Sequence, residues 1–157
     1  MILKLIGSVV VIASSISVAI SHRIFQEKKL KTLDGFIALL MYIKGQVDCY
    51  ALPLYEMLMG IPPEILCDCN SPMGVESLDE LIGESRVYLE DESLRLLESF
   101  CLEFGSIFRE EQLRRCDFYI EALVEERKRL SADVERRARV GGALSVCAMI
   151  GLVILLW

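Results

Sequence analysis

The chain has 157 residues, of which 54% are hydrophobic and 25% charged, and its formal net charge is −6. This length is the one expected of a single domain, which excludes a large two-domain enzyme. The mean hydropathy of +0.44 excludes an acidic disordered protein, because such chains have low hydrophobicity. Four prolines and ten glycines leave little room for low-complexity linkers.

The apolar residues concentrate at the two ends of the chain. The stretch from Ile2 to Ile20 contains a single charged side chain, and the stretch from Val140 to Trp157 contains none. A helix needs about 20 apolar residues, with a range of about 17–25, to cross the hydrocarbon core of a bilayer. We therefore predict transmembrane helices at 1–21 and 140–157, with a soluble domain at 22–139 between them.

The N-terminal apolar segment has a second interpretation, a cleaved signal peptide. Its start is only weakly basic, at Lys4, and the residues from Val18 to Ser21 make a poor cleavage site. Basic residues follow the segment instead of dominating before it, which is the arrangement of a signal anchor. The sequence therefore favours retention of this segment as a membrane span.

Basic residues flank both apolar segments on their inner sides. The net charge is +3 over residues 22–31 and +4 over residues 127–139. Lysine and arginine beside a span stay on the cytoplasmic side, so we predict an integral membrane protein whose soluble domain is cytosolic. The flanking residues that we expect to meet anionic lipid headgroups are Arg23, Lys28, Lys29, Lys31, Arg136, Arg137 and Arg139.

The soluble domain has the pattern of an all-α protein. Apolar residues recur at three- and four-residue steps from Leu30 to Val47, which is typical of one stripe of a helix. Shorter helices are predicted at 54–59 and 78–89, the second with Ser77 as its N-cap, and one further turn is predicted at 64–69. The fold class is therefore all-α, a small antiparallel helical bundle between an N-terminal and a C-terminal transmembrane helix.

Two further helices complete the predicted bundle. The first begins near Glu90, and its expected inward stripe is Leu94, Leu97, Cys101 and Phe104. The last begins near Glu110 and continues into the second apolar segment without a break. Its expected apolar edge consists of Leu113, Cys116, Ile120, Leu123, Leu130 and Val134.

The soluble domain is strongly acidic between its basic flanks. Residues 34–126 carry 20 acidic and six basic side chains, a net charge of −14. Nucleic acid is therefore not an expected partner, because phosphate binding needs a basic patch. The acid excess has two interpretations, solubility or a docking surface for a basic partner. The candidate docking residues are Asp79, Glu80, Glu84, Glu90, Asp91 and Glu92.

The sequence lacks the residue patterns that catalysis and metal binding need. No phosphate-binding loop occurs, and the single histidine, His22, lies beside the first apolar segment. The close pair Cys67 and Cys69 lacks the second pair or the histidines that a zinc site requires. The carboxylates at 110–111 and 125–126 are expected to be solvated. We predict a protein that is not an enzyme and that has no cofactor or metal.

Several short segments, taken together, resemble a known family. The opening stretch from Met1 to Gly7, the segment from Pro53 to Glu56, and the Phe104-Gly105 pair followed by Gln112 occur in order along the chain. A basic run then leads into the terminal apolar segment. This ensemble resembles the stage III sporulation protein AB family of endospore-forming bacteria over essentially the whole chain.

The chain departs from the family pattern at two places. Acidic residues are common before the first Pro-Leu turn, where this chain has Lys44 and Gln46. A second glycine usually follows the Phe-Gly pair, where this chain has Phe108, which suggests a more continuous or differently packed helix junction.

The resemblance implies a position in the channel that joins mother cell and forespore, on the mother-cell side of the outer forespore membrane. The family's helical domain is similar to the cytoplasmic domains of the inner-membrane platform proteins of type II secretion and type IV pilus systems. By that analogy we expect a non-enzymatic platform or scaffold subunit. Its expected partners are the other membrane subunits of the channel and the secretion-type ATPase of the same operon.

Gln112 joins the candidate docking residues because it is a polar position of the family motif that this chain keeps. Its simpler role is a capping or interhelix hydrogen bond. The alternative to a platform subunit is a stand-alone membrane-anchored sensor, regulator or adaptor, which needs no ATPase.

Overall fold

Helices account for nearly all of the chain that the structure describes. The computed structural model describes the backbone of residues 2–49, 54–71, 77–104 and 108–156, and the side chains of residues 17, 20–49, 54–71, 77–104 and 108–138. These ranges contain no strand, which confirms the predicted all-α class. The elements are α1 (Ile2–Cys49), α2 (Leu54–Met59), α3 (Pro63–Asp68), α4 (Leu78–Ser85), a 3-10 helix (Arg86–Tyr88), α5 (Asp91–Glu103) and α6 (Arg109–Leu156).

The two predicted membrane spans fall largely outside the described side chains. Of the segments 1–21 and 140–157, only Ser17, Ile20 and Ser21 have side chains within the described part. The two spans therefore stay predictions. Among the described residues, no helix is both long enough and apolar enough to cross a membrane.

The two long helices, α1 and α6, have 48 residues each and lie antiparallel. The ion pairs between them are Asp34 with Arg127 at 2.9 Å, Lys44 with Asp117 at 2.5 Å, and Asp48 with Arg109 at 2.8 Å. We call the end of the bundle formed by residues 20–31 and 129–138 the entry end, because α1 enters and α6 leaves there. The opposite end, at Asp48 and Arg109, is called the far end.

The core forms where the apolar stripes of α1 and α6 meet each other and the shorter helices. The α1 stripe is confirmed, since the buried residues of this helix include Leu33, Phe36, Ile37, Leu40, Ile43 and Val47, with Leu30 partly buried against them. The predicted edge of α6 is confirmed for Cys116, Ile120, Leu123 and Leu130, which are buried, whereas Leu113 and Val134 are only partly buried. These stripes hold the molecule together through burial of apolar surface.

Two buried aromatic side chains were not part of the predicted stripes. Phe100 of α5 and Tyr119 of α6 pack edge to face, with their ring centroids 5.5 Å apart. In α5, Phe100 is buried, whereas Cys101, which the sequence places in the inward stripe, is only partly buried. An edge-to-face aromatic pair adds about 0.5–1.5 kcal/mol beyond the burial of its area.

The short helices begin close to where the sequence places them. α2 has the predicted bounds, and α3 occupies the position predicted for a single turn. Ser77 is the N-cap of α4, and its Oγ accepts the backbone N–H of Glu80 at 3.2 Å. The cap therefore satisfies one of the backbone donors that the first turn of a helix leaves unpaired.

The helix predicted at 78–89 is shorter than expected. α4 ends at Ser85, and the next three residues tighten into the 3-10 helix before Leu89 becomes extended. This turn brings the ring of Tyr88 to 5.7 Å from that of Phe25 on α1. A contact with a residue distant in sequence thus ends the helix, which local periodicity could not reveal.

The seat of α3 on α1 depends on Gly35. A β-carbon at Gly35 would lie 2.8 Å from the backbone carbon of Asp68 and from the backbone nitrogen of Cys69. Beside this contact, Lys31 pairs with Asp68 at 3.0 Å, and the buried Ser85 hydroxyl donates to the carbonyl oxygen of Cys69. The two backbones approach this closely because residue 35 has no side chain.

Gly35→Ala is expected to destabilise the protein, although alanine is the better helix former by about 1 kcal/mol. The added methyl group forces backbone against backbone, and such overpacking costs roughly 1–3 kcal/mol. Gly45→Ala in the same helix meets nothing within 4 Å and should stabilise by roughly 0.5–1 kcal/mol. Urea unfolding of the full chain in mild detergent, followed by far-UV circular dichroism, measures both, and equal effects would contradict the close packing of α3.

Candidate partner-binding surfaces

The candidate docking residues do not form one surface. Asp79, Glu80 and Glu84 lie exposed along α4. The acids at 90–92 lie at the start of α5, at the entry end, and Gln112 lies in the first turn of α6, at the far end. Their proximity in the sequence therefore does not carry over to the folded chain, and each group has different neighbours.

The acids of α4 share a surface with α5. Burial raises the pKa of the Cys101 thiol to about 12, and the nearby negative charges of Asp79 and Glu98 raise it further. Asp79 of α4 and Glu98 of α5 therefore both lie near Cys101. We call Asp79, Glu80, Glu84 and Glu98 the acidic face, and Glu98 is the member that the sequence reasoning missed.

An exposed leucine borders the acidic face. Leu102 lies one helical turn after Glu98 on α5 and is 86% exposed. Residues four apart on a helix are neighbours on its surface, so an apolar side chain stands beside Glu98. A protein interface typically has an apolar centre with a polar rim, and Leu102 with the acidic face has this composition.

The acids at 90–92 belong to a charged cluster at the entry end. The Glu90 carboxylate lies 3.5 Å from the Nζ of Lys29 on α1, and Glu92 lies 3.8 Å from Arg95 on its own helix. A groove of about 410 Å³ is lined by Lys29, Leu89, Glu90, Asp91, Glu92 and Arg129. Part of the negative charge of this group is therefore compensated within the bundle.

Glu126 is buried at the same end, so the prediction that the carboxylates at 125–126 are solvated is wrong for this residue. Its side chain is 7% exposed, and its Oε1 lies 2.6 Å from the guanidinium of Arg129. Glu126 follows Leu123 by three residues and precedes Leu130 by four, and both leucines are buried. Helical spacing therefore places it on the apolar edge of α6.

The environment of Glu126 disfavours its charge. Burial raises the pKa of its carboxyl, Arg129 acts in the opposite direction, and the carboxylates of Glu90 and Glu92 raise the pKa again. Like charges from α5 thus face a buried acid of α6. The entry end holds an acid whose ionisation works against the folded state.

The basic residues of the N-terminal flank are engaged within the bundle. Lys28 donates to the Tyr88 hydroxyl oxygen at 3.0 Å and lies 4.4 Å from the centroid of that ring. Lys29 and Lys31 pair with acids of other helices. Tyr88 and Glu90, just before α5, and Asp68 of α3 thus contact the basic flank.

The other flank residues are more exposed. Arg23 pairs with Glu27 at 3.1 Å along α1, and both side chains face solvent. Arg136 and Arg137 of α6 are exposed, whereas the side chain of Arg139 lies outside the described residues. None of these positions tests the predicted contact with lipid headgroups.

Gln112 lines a small recess at the far end. The lining residues are Phe100, Glu103, Phe104, Gln112, Arg115 and Tyr119. Glu103 accepts hydrogen bonds there from Arg115 at 2.5 Å and from the Tyr119 hydroxyl at 2.9 Å. Burial, and then this bond to Glu103, raise the pKa of Tyr119 to about 12. Gln112 thus lies beside polar contacts between α5 and α6, which is the setting that its simpler predicted role, a capping or interhelix hydrogen bond, requires.

The cysteine pair divides between surface and core. Cys67 is exposed, whereas Cys69 is buried and burial raises the pKa of its thiol to about 12. Within the described part of the chain, no group of three or more histidine, cysteine, aspartate or glutamate side chains is arranged to hold a metal ion. Burial therefore disfavours the thiolate of Cys69, which is the reactive form of a cysteine.

Glu126→Gln is expected to raise the stability of the protein at neutral pH. A carboxyl whose folded-state pKa exceeds the unfolded value of about 4.3 makes the folded state bind the proton more tightly. The protonated carboxyl therefore stabilises the folded state at low pH, and this stabilisation is lost as the pH rises through the folded-state pKa. The lost pairing with Arg129 costs little, because that arginine is 60% exposed.

Urea unfolding at pH 5 and pH 7 measures this effect as the difference between wild type and variant. Glu125→Gln is the matched control, since Glu125 is 78% exposed and pairs with Lys128 at the surface. We expect the pH dependence to become weaker in Glu126→Gln only. The same change in both variants would contradict the buried position of Glu126.

The comparisons with known proteins agree with the resemblance drawn from the sequence. The family model described as stage III sporulation protein AB matches residues 75–157, which include α4, α5, α6 and the whole acidic face. No curated protein and no solved structure matches the chain. Because the family model covers more than half of the 157 residues, the chain belongs to the stage III sporulation protein AB family.

Proposed function

We propose that the chain is a membrane-anchored, non-enzymatic platform subunit of the sporulation channel between mother cell and forespore. A role in sporulation follows from the family. The observation that carries the rest is the antiparallel pairing of α1 and α6, which brings both ends of the chain out of the bundle at the entry end. A hairpin of two spans with a helical domain on one side of the membrane needs this geometry.

The lengths of α1 and α6 support the anchoring. Each helix has 48 residues, which corresponds to roughly 72 Å at 1.5 Å per residue. The hydrocarbon core takes about 30 Å of that length, and the remainder matches the part that packs in the bundle. We infer that each span continues into a bundle helix, so that the membrane segment and the cytosolic domain move together.

The acidic face is the proposed docking surface for the secretion-type ATPase. Leu102 supplies an exposed apolar contact beside Glu98, while the acids around it attract a basic partner and orient its approach. The start of α4 and the second half of α5 lie towards the far end, away from the proposed membrane. A cytosolic partner can therefore reach Asp79, Glu98 and Leu102 without meeting lipid.

The remaining partners follow from the same arrangement. We propose that the spans contact other membrane subunits of the channel and that Arg23, Arg136 and Arg137 meet anionic headgroups beside them. The proposed location is the outer forespore membrane, with the bundle in the mother-cell cytosol. No catalysis, cofactor or metal enters this function.

Labelling of Cys67 tests the orientation. Once Cys49 is replaced by serine, Cys67 is the exposed cysteine in the part of the chain that the structure describes. Burial raises the pKa values of the Cys69 and Cys116 thiols to about 12 and about 11. A membrane-impermeant maleimide should label Cys67 in inverted vesicles and leave it unmodified in intact protoplasts. The Cys49→Ser/Cys67→Ser variant is the control for residual labelling, and labelling of Cys67 from outside would reject the orientation.

Charge reversal on the acidic face tests the docking. We expect Asp79→Lys together with Glu98→Lys to weaken binding of the purified full-length protein to the operon's ATPase at least tenfold, a loss of about 1.4 kcal/mol. Leu102→Ser should weaken binding with less effect on its salt dependence, because it removes apolar contact and no charge. Fluorescence anisotropy in detergent at two salt concentrations measures both effects.

The control variant is Glu64→Lys, an exposed acid of α3, which makes the same kind of charge change on another surface. Its affinity should stay within twofold of the wild type. If wild-type protein shows no association with the ATPase, or an association that salt and these substitutions leave unchanged, the stand-alone sensor or regulator becomes the better interpretation.

A further inference from the structure

The 3-10 helix Arg86–Tyr88 packs against α1 at the entry end. Its Tyr88 ring lies 5.7 Å from the ring of Phe25, and its hydroxyl accepts a hydrogen bond from Lys28 at 3.0 Å. These partners are about sixty residues apart in the sequence. The fold thus moves a turn from the middle of the acidic region to the place where the chain approaches the proposed membrane.

Apolar side chains are exposed both on the turn and on α1 at this end. Val87 is 69% exposed in the centre of the turn, and on α1 Ile20 is 55% exposed and Ile24 59% exposed. Ile20 and Ile24 are one helical turn apart and share a surface of α1. A single exposed valine needs no explanation. Val87, however, belongs to the turn that packs on α1 beside Phe25, next to the exposed apolar residues of that helix.

The charges beside Val87 suit an anionic surface. Arg86 is the one basic residue among 11 acids in the stretch 48–92, and the fold places it at the end that also carries Arg23 and Lys28. Among the acids at this level, Glu27 pairs with Arg23 and Glu90 with Lys29, while Glu84, two residues before Arg86, is exposed beside the turn. From Glu90 onward, α5 leads away towards the far end.

The turn also lies at the depth of the lipid headgroups. The predicted span ends at Ser21, and the contacts of Tyr88 on α1 are Phe25 and Lys28, four to seven residues further on. At 1.5 Å per residue this is roughly 6–10 Å beyond the hydrocarbon. The headgroup layer on each side of a bilayer is about 5–8 Å thick, so Val87 stands within or at the edge of it.

We propose that the Arg86–Tyr88 turn is a third membrane contact of the chain, in which Val87 inserts among anionic lipid headgroups and Arg86 binds their phosphates. Tyr88 fastens the turn to α1 through Phe25 and Lys28. The bundle carries a net negative charge, so an anionic membrane repels it. The contact at the turn would oppose this repulsion and fix the orientation of the bundle relative to the membrane. The proposal rests on the membrane anchoring proposed above.

Lipid quenching of a tryptophan at position 87 tests the contact. The full-length protein is reconstituted into vesicles of zwitterionic and anionic phospholipid that include a lipid with a headgroup nitroxide. Val87→Trp is introduced into a Trp157→Phe background, so that position 87 holds the single tryptophan of the chain. Ile24→Trp reports the anchoring of α1, and Leu102→Trp reports the far end.

We expect quenching at position 87 to lie within twofold of that at position 24, with no quenching at position 102. Adding Arg86→Glu should reduce the quenching at position 87 at least twofold and leave that at position 24 unchanged. Circular dichroism checks that each variant is folded, and a Val87→Cys variant, protected from an impermeant maleimide in vesicles but not in detergent, gives a second measurement.

The control at position 24 separates the two hypotheses. Quenching at position 24 but not at position 87 would overturn the third membrane contact and leave the anchoring intact. Absence of quenching at both positions would overturn the anchoring and, with it, the contact. Quenching at position 87 that is unaffected by Arg86→Glu would overturn the part assigned to the arginine.

Discussion

The antiparallel pairing of α1 and α6 is the constraint on which the other contacts depend. Exposed ion pairs such as Lys44 with Asp117 contribute at most about 1 kcal/mol each, so burial of the facing apolar stripes supplies the stability while the ion pairs fix the register. Arg109 adds a second function, because its Nε donates to the carbonyl oxygen of Val47 at 3.2 Å. It thereby satisfies one of the carbonyl groups that the end of α1 leaves unpaired.

The shorter helices convert this hairpin into a domain with two different ends. α3 fits against Gly35 because two backbones can meet there, and the chain then returns towards the entry end through α4. The acids at 90–92 consequently meet Lys29 and the buried Glu126, while the acidic face of α4 and α5 remains exposed. One acidic stretch of the sequence thus supplies both the ion pair of Glu90 with Lys29 at the entry end and the exposed acids of α4 and α5.

The features that could be predicted from the sequence are those that residues close together in the chain determine. The stripe from Leu30 to Val47 and the Ser77 cap follow from spacing within one helix, and both are confirmed. Glu126 was also within reach, because its distances from Leu123 and Leu130 place it on the buried edge, but its charge suggested exposure. The contact of Tyr88 with Lys28 has no local signature, since it exists only after the hairpin has formed.

The family match and the fold together show how the two halves of the chain depend on each other. The matched residues 75–157 contain the acidic face and all of α6, yet α6 buries Cys116 and Leu123 completely and α1 is its principal neighbour in the fold. A chain without α1 would expose this apolar edge to water, at a cost of about 25 cal/mol for each Å². The part of α1 that packs on α6 lies outside the match and covers the apolar edge of the matched part.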